Sequence, residues 1–137
     1  MEKNKAICLA VFCAYIFVVL YLTVFRFGIY YDERQLNLTL FVSLINTYRN
    51  AGIGEFIRLF FGNIGWFVPF GFLLPQLIKR DSLLITIALG SCFSLLIETI
   101  QYVCYKGVAE LDDLILNTLG AAIGYCLYRY LQHIRKQ

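Results

Sequence analysis

Four long apolar blocks follow one another along the 137-residue chain, separated by polar segments of unequal length. A block of about 20 apolar residues is long enough to cross the hydrocarbon of a bilayer as a helix. The pattern therefore predicts an all-α, multi-pass membrane protein in which residues 1–137 form a single domain. The four predicted transmembrane helices cover about residues 6–26, 58–79, 82–105 and 113–131.

The segment between the first two predicted helices is long for so small a protein. Within it, Leu36, Leu40 and Leu44 recur every four residues, which is the spacing of one helix face. We therefore expect a short helix here, either lying along the membrane interface or re-entering the membrane.

Lysine and arginine are denser on one side of the predicted bundle. Four crossings put both termini on the same side, whose short segments carry seven of the twelve basic residues, whereas the longer segments opposite carry five. Because cytoplasmic loops are enriched in Lys and Arg, both termini are predicted to be cytoplasmic. The long segment between the first two helices then faces outwards.

Composition excludes several classes of protein. The chain is 60% hydrophobic and only 15% charged, whereas soluble domains carry about 25% charged residues. A net charge of +3, spread along the chain, does not predict a nucleic-acid surface. Five cysteines without a CxxC pair, and a single histidine (His133) in the basic tail, match no zinc or Ser-His-Asp pattern. No metal and no cofactor are predicted.

One acidic residue interrupts the third apolar block. Glu98 is the only charged residue between Ser82 and Tyr105, and a carboxylate at the centre of a bilayer costs about 2.5–3.5 kcal/mol. Such a residue usually has a function or a partner. Helical spacing puts Ser94 and Gln101 on the same stripe. At 1.5 Å per residue, Glu98 lies about 24 Å from the cytoplasmic end, in the outer third of the membrane.

The second and fourth predicted helices carry polar residues at a similar depth. Asn63 lies one to two turns below the outer end of the second helix, and Asn117 lies one turn below the adjacent pair Asp112 and Asp113. These positions predict a polar pocket that opens to the outer leaflet. The candidate pocket residues are Glu98, Gln101, Asn63, Asn117, Asp112, Asp113, Arg34 and Lys106.

Two interpretations of the polar stripes stay open at this point. Amides and Arg are suited to binding a sugar, peptide or phosphate head group, but polar side chains between membrane helices also act as simple hydrogen-bonding contacts. Gly120 and Gly124 form a small-xxx-small pattern that predicts close helix packing. Pro69, where a kink is expected, and Gly71 are assigned to packing of the second helix.

Several of these residues fall in motifs of a known family. Residues 62–75 (GNIGWFVPFGFLLP) resemble the "gNi..F.P.Gf.lP" signature of VanZ-like membrane proteins. Residues 96–101 (LIETIQ) resemble the family's "IE..Q" motif, and residues 112–124 (DDLILNTLGAAIG) its "D.iLNtlGa..G" motif. Residues 34–38 (RQLNL) are similar to its outer-loop motif and add Asn37 to the candidate site.

The resemblance implies a small protein of the bacterial plasma membrane linked to glycopeptide and lipoglycopeptide resistance of the teicoplanin type. Its implied partners are membrane lipids and a lipid-linked wall precursor or lipoglycopeptide, and a homo-oligomer is left open. Lys106 stands where the family often has Arg. An oxyanion bound there would therefore contact the single ammonium of a lysine and not the planar, bidentate guanidinium of an arginine.

Three functional hypotheses follow from the sequence. The first is a protein that binds or alters a lipid-linked envelope component in the outer leaflet. The second is a membrane-embedded enzyme that uses Glu98 or Asp113 as a general base. The third is a helper subunit of a larger envelope complex. The residues alone do not decide whether a reaction is catalysed.

Overall fold

A computed structural model describes residues 2–25, 30–78 and 80–137 of the chain. Long helices dominate it, with two three-residue strands near one end of the bundle. In chain order the elements are α1 (Glu2–Leu20), which continues into a π-helical turn (Tyr21–Phe25), β1 (Gln35–Asn37), α2 (Val42–Ala51), α3 (Ile53–Ile78), α4 (Leu83–Val103), β2 (Val108–Glu110) and α5 (Leu111–Ile134).

Within the described residues, three helices are long and apolar enough to cross a membrane: the stretch Lys5–Val24, α3 and α4. Large apolar side chains on their outer surfaces are exposed, for example Phe17 at 70% and Leu84 at 76%, and such a surface is compatible with hydrocarbon and not with water. The chain is therefore a membrane protein. The predicted ends of the first two helices, Arg26 and Lys79, lie outside the described residues.

The fourth predicted span corresponds to α5, which is 24 residues long. That length exceeds the 20 or so residues needed to cross a bilayer. However, α5 carries Asp112 and Asp113 in its first turn and Arg129 further along, where it pairs with Asp81 before α4. Its crossing of the membrane, and with it the predicted topology, stays a prediction.

The most extensive helix contact is between α3 and α5, which run parallel. A Cβ atom placed on Gly120 would overlap the carbonyl oxygen of Ile64, and one on Gly124 would overlap the carbonyl oxygen of Val68. Gly71 meets the Ala121 backbone of α5 in the same way. The small residues therefore let two helix backbones touch, which is how membrane helices gain dispersion contacts.

The other helices pack against this pair through an aromatic core. Phe67, Phe70 and Phe93 bring α3 and α4 together, with ring centroids 5.5–6.0 Å apart. The contacts between α1 and α3 show that these helices run antiparallel. The Tyr15 hydroxyl donates to the Trp66 carbonyl at 2.6 Å, and the earlier residue Phe12 packs on the later residue Phe70. α3 runs through Pro69 from Ile53 to Ile78, and the kink expected there stays a prediction.

The outer-loop prediction was wrong in one respect. A short helix is present, but α2 begins at Val42, and Leu36 lies in β1 and not on a helix face. β1 pairs in parallel with β2, with Leu36 opposite Ala109 and Asn37 opposite Glu110. The all-α class is confirmed, but the small two-stranded sheet was not predicted, because residues 35–37 pair with the distant residues 108–110 and leave no local pattern.

We expect Gly120→Ala to destabilise the protein. The added methyl has no room against the Ile64 carbonyl, so α3 and α5 must separate, at a cost of about 1–3 kcal/mol or more. Thermal unfolding in detergent measures the change. Gly62→Ala is the matched control, because nothing lies within 4 Å of its Cβ position and alanine favours a helix by about 1 kcal/mol over glycine. Equal effects of the two substitutions would contradict the close packing.

Candidate functional site

A cavity of about 370 Å³ lies between the π-helical turn, α3, α4 and the start of α5. Apolar walls come from residues such as Phe67 and Ile97. Six of the residues that the sequence singled out line it, namely Asn63, Glu98, Gln101, Lys106, Asp113 and Asn117. Further polar groups in the lining come from Thr23, Tyr31, Arg58 and Trp66. Three long helices thus contribute polar side chains to one space.

Glu98 is the central acid of this cavity. Its side chain is only 6% exposed, and Oε2 accepts a hydrogen bond at 2.9 Å from the backbone N–H of Glu110, the last residue of β2. Because α5 starts at the next residue, this bond ties α4 to the beginning of α5. It also satisfies a buried backbone donor, which is costly to leave unpaired.

Polar contacts continue inwards between α4 and α5. Asn117 Nδ2 donates to Ser94 Oγ at 2.9 Å, both residues being buried. One turn further, the hydroxyls of Ser91 and Thr118 lie 2.9 Å apart. Each pair joins antiparallel helices, so the stripe expected from sequence spacing faces the neighbouring helix as well as the cavity.

The α3 side of the cavity is closed by an amide–carboxylate contact. Asn63 Nδ2 donates to Asp113 Oδ1. The parallel packing of α3 and α5 brings these residues together near the same end of the bundle. This pair joins residues that are 50 positions apart, so only the helix contact decides it.

Gln101 reaches from α4 to the π-helical turn. Its Nε2 donates to the Thr23 carbonyl at 3.0 Å. A π-helical turn shifts the regular backbone hydrogen bonds, which makes such a carbonyl available to a side chain. Gln101 Oε1 is buried and has no hydrogen-bond partner within the described residues. Sequence reasoning missed Thr23, since a lone Thr at the end of an apolar block carries no periodic signal.

Three predicted site residues lie outside the cavity, so this part of the predicted pocket is corrected. The Arg34 guanidinium packs over the Tyr102 and Tyr105 rings, 5.6 and 5.3 Å from their centroids. Asn37 accepts from the Thr39 N–H at 3.1 Å. Arg34 packs on rings at the end of α4 and just after it, and Asn37 bonds within its own loop. Sequence spacing cannot anticipate such contacts.

Asp112 is the third of these residues and is 2% exposed. Its Oδ1 accepts from the Phe41 N–H at 2.8 Å, and Phe41 has the left-handed backbone of a tight turn (φ 60°) before α2. Nearby, Ser43 Oγ donates to Glu110 Oε1 at 2.6 Å. These contacts hold the loop helix α2 against the start of α5, so Asp112 is placed to support the loop and not to line the cavity.

A second recess, of about 270 Å³, lies on the other side of Glu98. It is a largely apolar groove between α4, the two strands and the start of α5. The residues that form its apolar wall include Leu36, Leu38, Leu95, Leu111 and Leu114. Glu98 lines both spaces, so a polar cavity and an apolar groove meet at one carboxylate.

Two cations lie at the loop end of the polar cavity. Arg58 is paired with Glu55 on the same helix, and Lys106 Nζ lies 4.7 Å from the centroid of the Tyr30 ring. Within the described residues no group of three His, Cys, Asp or Glu side chains could hold a metal ion. The cavity is therefore a mixed-charge, hydrogen-bonding site near one end of the bundle.

Comparison with known proteins agrees with the motif resemblance. The family model VanZ/LLP1 matches residues 12–132. The chain is 34% identical over 98 residues to Protein VanZ of Enterococcus faecium, a match that covers 72% of this chain and 55% of that protein. The chain thus spans about half the length of this curated relative. No solved structure matches. The family predicted from the motifs is confirmed, and the chain belongs to the VanZ/LLP1 family.

Proposed function

We propose that this protein contributes to teicoplanin-type glycopeptide resistance by binding or altering a lipid-linked component of the outer leaflet. The observation that carries the proposal is the polar cavity around Glu98, set among helices whose length and hydropathy suit a bilayer. Family membership supports the link to resistance. The fourth crossing by α5 and the cytoplasmic location of both termini are parts of the same proposal.

The position of the cavity along the helices supports an interfacial ligand. Glu98 lies five residues before the end of α4 at Val103, a distance of about 7–8 Å along the helix axis. Asn63 and Asp113 lie at the same end of the bundle. A head group could enter there without crossing the membrane, and the denser basic residues on the opposite side favour the outer leaflet for this end.

The two spaces around Glu98 suit the two halves of an amphiphile. A lipid-linked molecule has an apolar chain and a polar head, and here an apolar groove adjoins a polar cavity. The chain would lie in the groove formed by the leucines of β1, α4 and α5, and the head would meet the amides and acids of the cavity. Most ligand sites combine apolar walls with a few polar groups in this way.

A second candidate function is catalysis. Two carboxylates, Glu98 and Asp113, line the same cavity, and either could take a proton from a bound substrate as a general base. The test is conversion of a lipid-linked wall precursor by the purified protein, followed by mass spectrometry. Conversion that is lost in both Glu98→Gln and Asp113→Asn would favour the enzyme over the binding protein.

The helper-subunit hypothesis stays a prediction. Gly120 and Gly124 pack inside the chain against α3. Loss of a partner after their substitution would therefore report on folding and not on a docking face.

Removing the charge or the amide of the cavity should abolish resistance. A sensitive host should become resistant to teicoplanin when it expresses the wild-type protein. When it expresses Glu98→Gln or Asn117→Ala, we expect the same susceptibility as in the host without the protein. Asn117→Ala removes one interhelical hydrogen bond, worth only about 0.6 kcal/mol, so the protein should still accumulate in the membrane. Minimum inhibitory concentrations and membrane immunoblots measure the two effects.

Glu33→Gln is the matched control for this prediction. Glu33 is an exposed acid in the loop before β1 and lines neither the cavity nor the groove. Resistance should be unchanged in this variant. If Glu98→Gln and Asn117→Ala also keep full resistance at normal protein levels, the cavity is not the functional site.

The orientation has its own test. On a background without native cysteines, Arg49→Cys at the exposed end of α2 should react with a membrane-impermeant maleimide added to intact cells. Lys136→Cys, exposed near the C-terminus, should react only after the cells are lysed. The reverse pattern would place the cavity in the inner leaflet and remove the basis for an outer-leaflet ligand.

A further inference from the structure

The hydrogen-bonding groups of the cavity are not evenly used. Three carboxamide groups line it, and the nitrogen of each uses one of its two N–H groups in a hydrogen bond within the protein. Asn63 Nδ2 donates to Asp113, Asn117 Nδ2 to Ser94, and Gln101 Nε2 to the Thr23 carbonyl. Because a backbone carbonyl and a carboxylate can only accept, the orientations of Gln101 and Asn63 follow from their partners.

Acceptor oxygens are left over. Gln101 Oε1 is buried without a partner among the described residues. Glu98 uses Oε2 for the Glu110 N–H, and Asp113 uses Oδ1 for Asn63, while the second oxygen of each accepts no hydrogen bond from the part of the chain that the structure describes. A ligand that satisfies these oxygens must bring hydrogen-bond donors, and for the buried Gln101 Oε1 the absence of a partner is costly.

The negative charge of Glu98 and Asp113 also favours a ligand that brings donors, in this case a cationic one. Buried carboxylates in proteins are normally paired with a cation. In the described ranges, the ion pairs within 4 Å are Arg58 with Glu55 and Arg129 with Asp81. Neither Glu98 nor Asp113 takes part in them. A cationic ligand would supply the positive charge that the ion pairs of the described residues do not place against these acids.

The protein's own cations mark the mouth of the cavity. Arg58 precedes Asn63 by five residues on α3, which is about 7–8 Å nearer the loop end. Lys106 follows the end of α4 and lines the same cavity. From mouth to interior, the site therefore changes from basic to acidic over the length of a small head group.

We infer that the cavity recognises a primary ammonium group of a membrane-anchored amphiphile, held by Glu98, Asp113 and Gln101 Oε1, with the anionic part of the head group towards Arg58 and Lys106. This inference rests on the proposed function and names the chemistry of its ligand. A primary ammonium carries both the charge and the three N–H donors that the leftover oxygens require.

A lipid series tests the inference on the wild-type protein. Trp66 is the single tryptophan of the chain and lines the cavity, so its fluorescence reports occupancy in detergent micelles. Didecanoyl phosphatidylethanolamine should bind about tenfold or more tightly than didecanoyl phosphatidylcholine, which keeps the charge but has no N–H donor. Didecanoyl phosphatidylglycerol, which has no amine, should bind as weakly as phosphatidylcholine.

Variants then assign the selectivity to the cavity. Glu98→Gln keeps an oxygen that accepts from the Glu110 N–H, so the fold contact is retained while the charge is lost. In this variant the ratio of the dissociation constants for phosphatidylcholine and phosphatidylethanolamine should fall to near one. Gln101→Leu should reduce the preference as well, and the loop variant Glu33→Gln should leave it unchanged.

A second probe separates the sources of the amine. N-decanoyl-lysine amide carries a primary ammonium on an amino-acid head group without a phosphate. If it binds as tightly as phosphatidylethanolamine, the amine of a lipid-linked peptide suffices. If only phosphatidylethanolamine binds tightly, the site requires amine and phosphate together. Both results support ammonium recognition, whereas equal binding of all three phospholipids by the wild-type protein overturns it.

The outcome is distinguishable from failure of the proposed function. Equal binding of the phospholipids, with resistance lost in Glu98→Gln, would overturn the ammonium ligand and leave the role in resistance standing. Selective binding with resistance unchanged in Glu98→Gln would support the ligand chemistry and remove the role in resistance.

Discussion

Backbone contact between α3 and α5 is the constraint on which the remaining structure depends. Gly120 and Gly124 allow the two helices to touch along their length, and this closeness fixes which residues face each other at the loop end. The pairing of Asn63 with Asp113 is a direct consequence. With bulkier residues at the contact, the helices would separate and the cavity would lose one wall.

Glu98 connects the membrane helices to the loops. Its bond to the Glu110 N–H holds the end of β2, β2 holds β1 through the parallel pair, and Asp112 holds the turn before α2. Glu98 thus bonds to the end of β2 through one oxygen and also lines the cavity and the groove.

Membership of the VanZ/LLP1 family and the mixed-charge cavity describe the protein at different levels. The family relates the chain to a curated relative of which it spans about half, so activity cannot simply be transferred. The cavity offers the more specific constraint, because its buried atom without a partner, Gln101 Oε1, is an acceptor and its acids form no ion pair within the described residues. Under the proposed ammonium recognition, the ligand is selected by its hydrogen-bond donors and charge and not by its apolar chain.

Local pattern in the sequence was sufficient for the helices, because hydrophobic length and periodicity are properties of neighbouring residues. The family motifs, the close packing of Gly120 and Gly124, and the shared depth of Glu98, Asn63 and Asn117 were all accessible in this way. Contacts between distant residues were not. Only the tertiary structure decided that Leu36 lies in a strand and that Arg34 and Asp112 lie outside the cavity. The same holds for the Gln101 oxygen that is left without a partner. Each of these depends on which backbone group, tens of residues away, lies within hydrogen-bonding distance, and one-dimensional spacing carries no such information.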